Sequence, residues 1–304
     1  MMRSLFSAVS GLKSHQTAMD VIGNNVANVN TTAYKSSRVI FHDMYSQLLN
    51  SATAPTATSG GVNAKQVGLG VTISSIGMNM TDGNTQTTSN TLDLAIAGDG
   101  FFVVSDGLGG YEYTRNGAFM LDSQGYLITT QGNYVMGISE DHDPATDSRI
   151  DNGDTIVSGT TPLFGKVKLS GLETSGTTTY EYSNYAIDAN GTITASVTTT
   201  TGGSSTTSMQ NVGRLVLATF NNTAGLEKAG YSNYKESLNS GKATYDFAND
   251  GAAGSLKGGA LEMSNVDLAN ELTSMIIVQR GYQANSRVIT TSDTMLEELI
   301  NLKR

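Results

Sequence analysis

The chain has 304 residues, of which 38% are hydrophobic and 15% charged, with 34 glycines. That composition can bury a core, while neutral polar residues take the surface that charged ones fill at about 25% of an ordinary chain. The net charge of −9 argues against nucleic acid as a partner. No apolar run reaches the ~20 residues that cross a bilayer, and the absence of cysteine excludes disulfides, thiolate catalysis and Cys-type zinc sites.

The charge is uneven. Residues 1–45 carry +2, residues 46–260 carry −9 and residues 261–304 carry −2. An acidic, solvated middle therefore separates two nearly neutral ends with apolar patterning.

In the first segment Met2, Leu5, Val9, Leu12, Gln16, Met19, Gly23 and Val26 recur at alternating spacings of three and four. This predicts an amphipathic helix over 2–28, which ends where Asn28-Val-Asn-Thr-Thr favours turns. Lys13 and His15 interrupt the opening run before an apolar core develops, so it does not read as a Sec-type signal. Ser51–Gln66 reads as an extended arm. From Val67 to Ile138 the period changes to that of short strands, including Leu92–Ile96, Phe101–Val104, Tyr111–Thr114 and Tyr134–Ile138. Turn signals at Asn116-Gly117 and Gln124-Gly125 separate them. Residues 140–208 open with an acidic stretch and continue in Thr/Ser/Gly tracts, which predicts an insertion needing little core of its own. A strand returns at Gly213–Phe220. The last segment is helical again over 267–302, with Asp267 placed to cap its first turn. It spans about 54 Å at ~1.5 Å per residue, and polar Gln279, Ser286 and Asp293 interrupt its apolar row.

Candidate chemistry is sparse. The EF-hand spacing fails at Asp141–Asp143 and again at Asp147–Gly153, so those acids read as a solvated loop and not as a calcium site. His15, His42 and His142 are too far apart in sequence for a metal-binding pair. Gly98-Asp-Gly100 and Gly107-Leu-Gly-Gly110 lead into aromatic strand residues and not into a helix N-terminus, so they read as turns and not as phosphate loops. No catalytic residue, metal or cofactor is expected. The two terminal stripes fit packing inside one monomer as well as assembly through the ends.

Several long motifs then carry a resemblance. Ser10-Gly-Leu-Lys-Ser-His-Gln-Thr-Ala-Met-Asp-Val-Ile-Gly-Asn-Asn-Val-Ala-Asn-Val-Asn-Thr31 at the start closely resembles the bacterial flagellar rod and hook proteins. So do Asp93-Leu-Ala-Ile-Ala-Gly-Asp-Gly-Phe-Phe102, Tyr113-Thr-Arg-Asn-Gly117 and Phe220-Asn-Asn-Thr-Ala-Gly-Leu226 in the middle. The tail Ser264–Asn285 and its continuation Ile289–Leu296 complete the set. Within the family the substantial stretch 140–208 looks most like the hook members, with the distal rod members as the alternative. The arm at 46–66 is reminiscent of an extra stretch in distal rod proteins. Ala33 stands where the family often has glycine, which bears on the local turn because alanine tolerates positive φ poorly.

The resemblance implies an α+β fold, mainly β, with antiparallel β domains and long N- and C-terminal helices that pair in an assembled tube. It implies an inner helical domain (1–30 and 265–304), a connecting arm (31–66), a β-rich middle domain (67–139 and 209–264) and an inserted outer β domain (140–208). The function implied is structural: a hollow flexible hook, a universal joint between rod and filament that is also an export channel. The partners implied are further copies of the chain, the distal rod protein, the hook cap, the hook–filament junction proteins and the flagellar type III export apparatus. The expected location is the extracellular flagellum, reached without a cleaved signal peptide, with neither nucleic acid nor membrane insertion. The apolar stripes then become the expected polymerisation seam: Leu5, Val9, Leu12, Met19, Val26, Leu268, Leu272, Met275, Tyr282, Ile289, Leu296 and Ile300. The termini are expected to gain helix only on assembly, since an isolated helix is marginal in water. A secreted β-rich binding protein or enzyme, with helices that merely oligomerise it, is the remaining function class.

Overall fold

The computed structural model describes residues 2–302 except 57–59, 108, 140–156, 159–160, 163–164, 170–172, 176–177 and 202–203. The acidic loop considered above for calcium lies outside the described residues. The chain forms two compact units. The first comprises 1–29, 35–79 and 266–304, and the second 30–34 and 80–265.

The first unit is built on helices α1 (Met2–Ala27) and α2 (Leu268–Asn301). Asn28 closes α1: its backbone N–H and its side-chain Nδ2 both donate to the Asn24 carbonyl, at 3.1 and 2.9 Å. Asp267 opens α2, its Oδ1 accepting from the Ala269 and Asn270 amides at 2.9 and 3.4 Å. These are the first-turn donors that a helix cannot satisfy internally. The two helices pair antiparallel within one chain, one of the two arrangements that the sequence left open.

Strands β1 (Ser37–Asp43) and β4 (Val71–Met78) form an antiparallel ribbon in the same unit, with a bulge at Ile40/Phe41. Between them β2 (Ser46–Asn50) and β3 (Lys65–Gly68) make a hairpin in which every residue is exposed. Val71–Met78 was expected in the β body; its pairing with β1 joins it to the helices instead. Hydrophobic alternation cannot reveal that partner, because both strands of a ribbon carry the same pattern wherever they pack.

The second unit is mainly β. An 11-stranded antiparallel sheet has as its principal path Glu173–Ser175, Thr178–Ile187, Thr192–Thr201, Ser204–Thr219, Phe101–Ser105, Tyr111–Thr114, Asn233–Lys235 and Glu227–Gly230. Its core gathers Leu94, Ile96, Phe102, Val104, Phe119, Leu127, Val135, Leu215 and Leu217 with Val167, Leu169 and Ile193. The last three belong to the stretch read as an insertion needing little core of its own, and each is at most 1% exposed. That reading is corrected: the Thr/Ser tracts mask a minority of apolar positions, and these are the ones that face inward. The 16-residue strand Ser204–Thr219 runs unbroken across the expected boundary at 208, exposed in its first half and buried in its second.

Deleting 140–208 joins Ser139 to Met209, four residues before Gly213, with which Ser139 already pairs across two strands. Closure is therefore easy, but the deletion removes the fully buried side chains of Val167, Leu169, Ile193 and Val197, worth roughly 1.5–3 kcal/mol each. We expect the shortened chain to lose its cooperative thermal unfolding transition, as read by near-UV circular dichroism. A native-like transition would return the stretch to the status of a dispensable appendage.

Candidate assembly interface

The face that α1 turns to α2 is made of small residues. Ala8, Gly11, Ser14, Ala18 and Asn25 are the buried positions of α1, and Val278 and Ser292 those of α2. A Cβ on Gly11 would lie 2.5 Å from Nδ2 of Asn285, and one on Gly281 would lie 2.8 Å from Nε2 of His15. A side chain at either place would have to displace Asn285 or His15, so each glycine makes room for a side chain of the other helix. We expect Gly11→Leu to open the pair, and protease resistance of residues 2–27 in the monomer to fall. Unchanged resistance would mean that this close approach does not hold the helix.

Asn25 clasps three elements. Its Nδ2 donates to the Ser37 carbonyl (2.8 Å) and to Oε1 of Glu271 (3.1 Å), while its Oδ1 accepts from the Ser37 amide (3.0 Å). At 1% exposure it is a buried polar group with its hydrogen-bonding capacity used. Sequence reasoning passed over it as part of an Asn-rich helix end. A lone polar residue at a helical position equivalent to Ala18 was the signal available.

Because small residues take the inner face, the large apolar side chains are displaced from it. Of the expected seam, Leu5, Leu12, Met19, Val26, Met275, Ile289 and Leu296 are part-buried, and Val9, Leu268, Leu272, Tyr282 and Ile300 are exposed. The structure adds exposed apolar residues outside the expected seam: Met2 and Phe6 on α1, and Ile276, Ile277, Val288, Met295 and Leu299 on α2. The ribbon and hairpin contribute Ile40, Phe41, Tyr45, Leu48 and Leu49. So much exposed apolar surface in one unit makes it the candidate surface for association. Among the described residues no three His, Asp or Glu side chains gather as a metal site, and no helix is long and apolar enough to cross a membrane.

The second unit carries a separate constellation. Arg115, 3% exposed at its side chain, pairs with Asp82 at 2.6 Å and with buried Glu262 at 3.3 Å. Its Nε donates to the Gly100 carbonyl at 3.0 Å and its other terminal nitrogen to the Gly98 carbonyl. Glu262 also accepts from the Gly83 amide at 2.9 Å, and its carbonyl accepts from the amide of Ala33 at 2.9 Å. Ala33 is fully buried with φ +56°, so the turn that prefers glycine is made here by alanine. Beyond Arg115, a Cβ on Gly117 would stand 1.8 Å from the Leu94 carbonyl oxygen. The Thr-Arg-Asn-Gly motif is therefore architectural: the arginine ties loops together and the glycine admits a neighbouring strand. Nearby, the Tyr113 and Tyr245 hydroxyls hydrogen-bond at 3.0 Å, and burial raises the pKa of both, keeping them neutral.

Three family models match the chain: the flagella basal body rod protein over 5–35, the flagellar hook protein FlgE/F/G D1 domain over 95–195, and the flagellar basal body rod FlgEFG protein C-terminal over 257–302. The flagellar basal-body rod protein FlgG of Bacillus subtilis is 43% identical over 305 residues, covering all of both chains. The flagellar hook protein FlgE of Borreliella burgdorferi is 30% identical over 442 aligned positions, and that of Treponema pallidum 31% over 472, again covering all of each chain.

Proposed function

The chain belongs to the flagellar basal-body rod and hook protein family, and from that premise we propose that it is a distal rod subunit, polymerising into a rigid hollow drive shaft. The observation that carries this reading is the match to the rod relative, end to end in 305 positions at 43% identity. The hook relatives need 442 and 472 positions to align with 304 residues, so they hold long segments that this chain lacks. The stretch 140–208, which favoured a hook from sequence, falls inside the full-length rod match and loses its weight as a hook feature.

A second feature supports a stiff shaft. The β2–β3 hairpin exposes Leu48, Leu49 and Val67 with no core of its own. A two-stranded hairpin is marginal alone in water, so packing against other copies would both order it and restrain bending. Assembly through exposed apolar rows that do not face their own image gives an open helical polymer and not a closed ring. The long helices would line the central channel, and export through that channel needs no cleaved leader. The hook remains the second reading, favoured by the full-length hook matches.

The test is a strain lacking the gene. A truncated rod in isolated basal bodies is the result expected. A complete rod lacking only its hook would assign the chain to the hook.

A further inference from the structure

The helix pair has unlike ends, and we infer that they fit one another between successive copies: the last two turns of α2 seat in the groove at the far end of the next copy's helix pair. This rests on the axial-polymer reading and names the contact that would carry elongation.

The first end follows from the pairing offset. Gly11 meets Asn285, His15 meets Gly281 and Asn25 meets Glu271. This constant antiparallel offset sets Met2 opposite Thr294 and leaves Met295–Leu302 beyond the start of α1. The overhang spans about 10 Å at ~1.5 Å per residue. It carries exposed Met295, Leu299, Ile300 and Leu302, with exposed Glu297 and Glu298 beside them.

The second end is a groove of about 600 Å³ where α1 finishes and α2 begins, walled by Val21, Ile22, Ile40, Phe41, Ile277 and Val278. Ile40, Phe41 and Ile277 are exposed. Arg38, also exposed, lines the same groove, as does part-buried Glu271, whose Oε1 accepts from Asn25.

An apolar overhang with two exposed carboxylates and an apolar groove whose exposed charge is a guanidinium are complementary in character and in charge. Neither end can reach the other within its own chain. Ile277 and Ile300 lie on one helix, 23 residues and so about 35 Å apart. The contact is heterologous, and repeating it extends the assembly without closing it.

The absence of cysteine makes the test clean. In the double variant Ile277→Cys/Ile300→Cys, a disulfide requires Cα atoms within about 7 Å, so any 277–300 bond joins two copies. Mild oxidation of assembled protein should give a ladder of dimers, trimers and higher species, whereas each single variant stops at dimer or monomer. Arg38→Glu alone and Glu297→Lys/Glu298→Lys alone should each raise the critical concentration at least about tenfold. Their equimolar mixture should assemble again, because each variant's overhang then meets a groove of opposite charge. Tubes that form without the ladder and ignore the charge reversals would overturn this contact and leave the polymer standing. A ladder from Leu49→Cys/Ile277→Cys instead would give the groove to the hairpin. Failure of the unmodified chain to form any tube would remove the polymer reading, and this contact with it.

Discussion

Leu272→Asp is expected to abolish assembly while leaving the monomer folded, and Val9→Asp to do the same. In the single chain Leu272 is 48% exposed and Val9 40%. An exposed aspartate there meets water, and surface substitutions of this kind usually change stability by no more than about 0.5 kcal/mol. In an interface the same carboxylate would lose its hydration without gaining a partner, a cost of several kcal/mol. The leucine's own burial, roughly 1.5–3 kcal/mol, is lost as well. The two losses repeat at every subunit, so elongation fails altogether. The readout is electron microscopy of concentrated protein beside far-UV circular dichroism of the monomer. Normal tubes from either variant would remove these residues from the interface. An unfolded monomer would place them in the core of the chain.

Arg115→Ala should weaken the second unit by about 3–5 kcal/mol, the usual cost of removing one partner from a buried ion pair. The change strips Glu262 of its guanidinium and leaves the Gly98 and Gly100 carbonyls without their donor. For a unit of this size each kcal/mol moves Tm by roughly 2–4 °C, so a fall on the order of 10 °C is expected. Arg115→Lys should recover little, because an ammonium cannot span two carbonyls and two carboxylates as a planar fork does. A Tm within about 2 °C of the parent would mean that the cluster holds its loops by other contacts.

Much of the architecture was legible where the residues state it directly. Asp267 caps the long C-terminal helix because a carboxylate can take free amide protons, and Asn28 ends the first helix for the complementary reason. The strands at Phe101–Ser105 and Tyr111–Thr114 follow from alternation and intervening glycines. The interface was only half legible. A hydrophobic stripe was read as the packed face, yet Ala8, Gly11, Ser14 and Ala18 are what α1 buries. Close packing selects for small size more than for apolarity, and a periodicity of large residues cannot register it. Leu268, Leu272 and Ile300 then stay exposed, while Leu5, Leu12, Ile289 and Leu296 are only part-buried.

The second unit hid its core for a related reason. Val167, Leu169 and Ile193 sit among Thr, Ser and Gly, and three residues in so polar a stretch look incidental until the sheet gathers them. Asn25 and Arg115 were visible only as members of motifs. Their roles depend on Ser37, Glu271, Asp82 and Glu262, and pairings such as Asn25–Glu271 and Arg115–Glu262 join residues more than a hundred positions apart.

The decisive measurement is cryo-electron microscopy of the polymer formed by the unmodified chain at high concentration. A hollow tube is expected, with α1 and α2 innermost and with Leu272, Ile276 and Ile277 buried between copies. Discrete particles of fixed size, or a tube in which those three side chains still face water, would contradict assembly through the terminal helices.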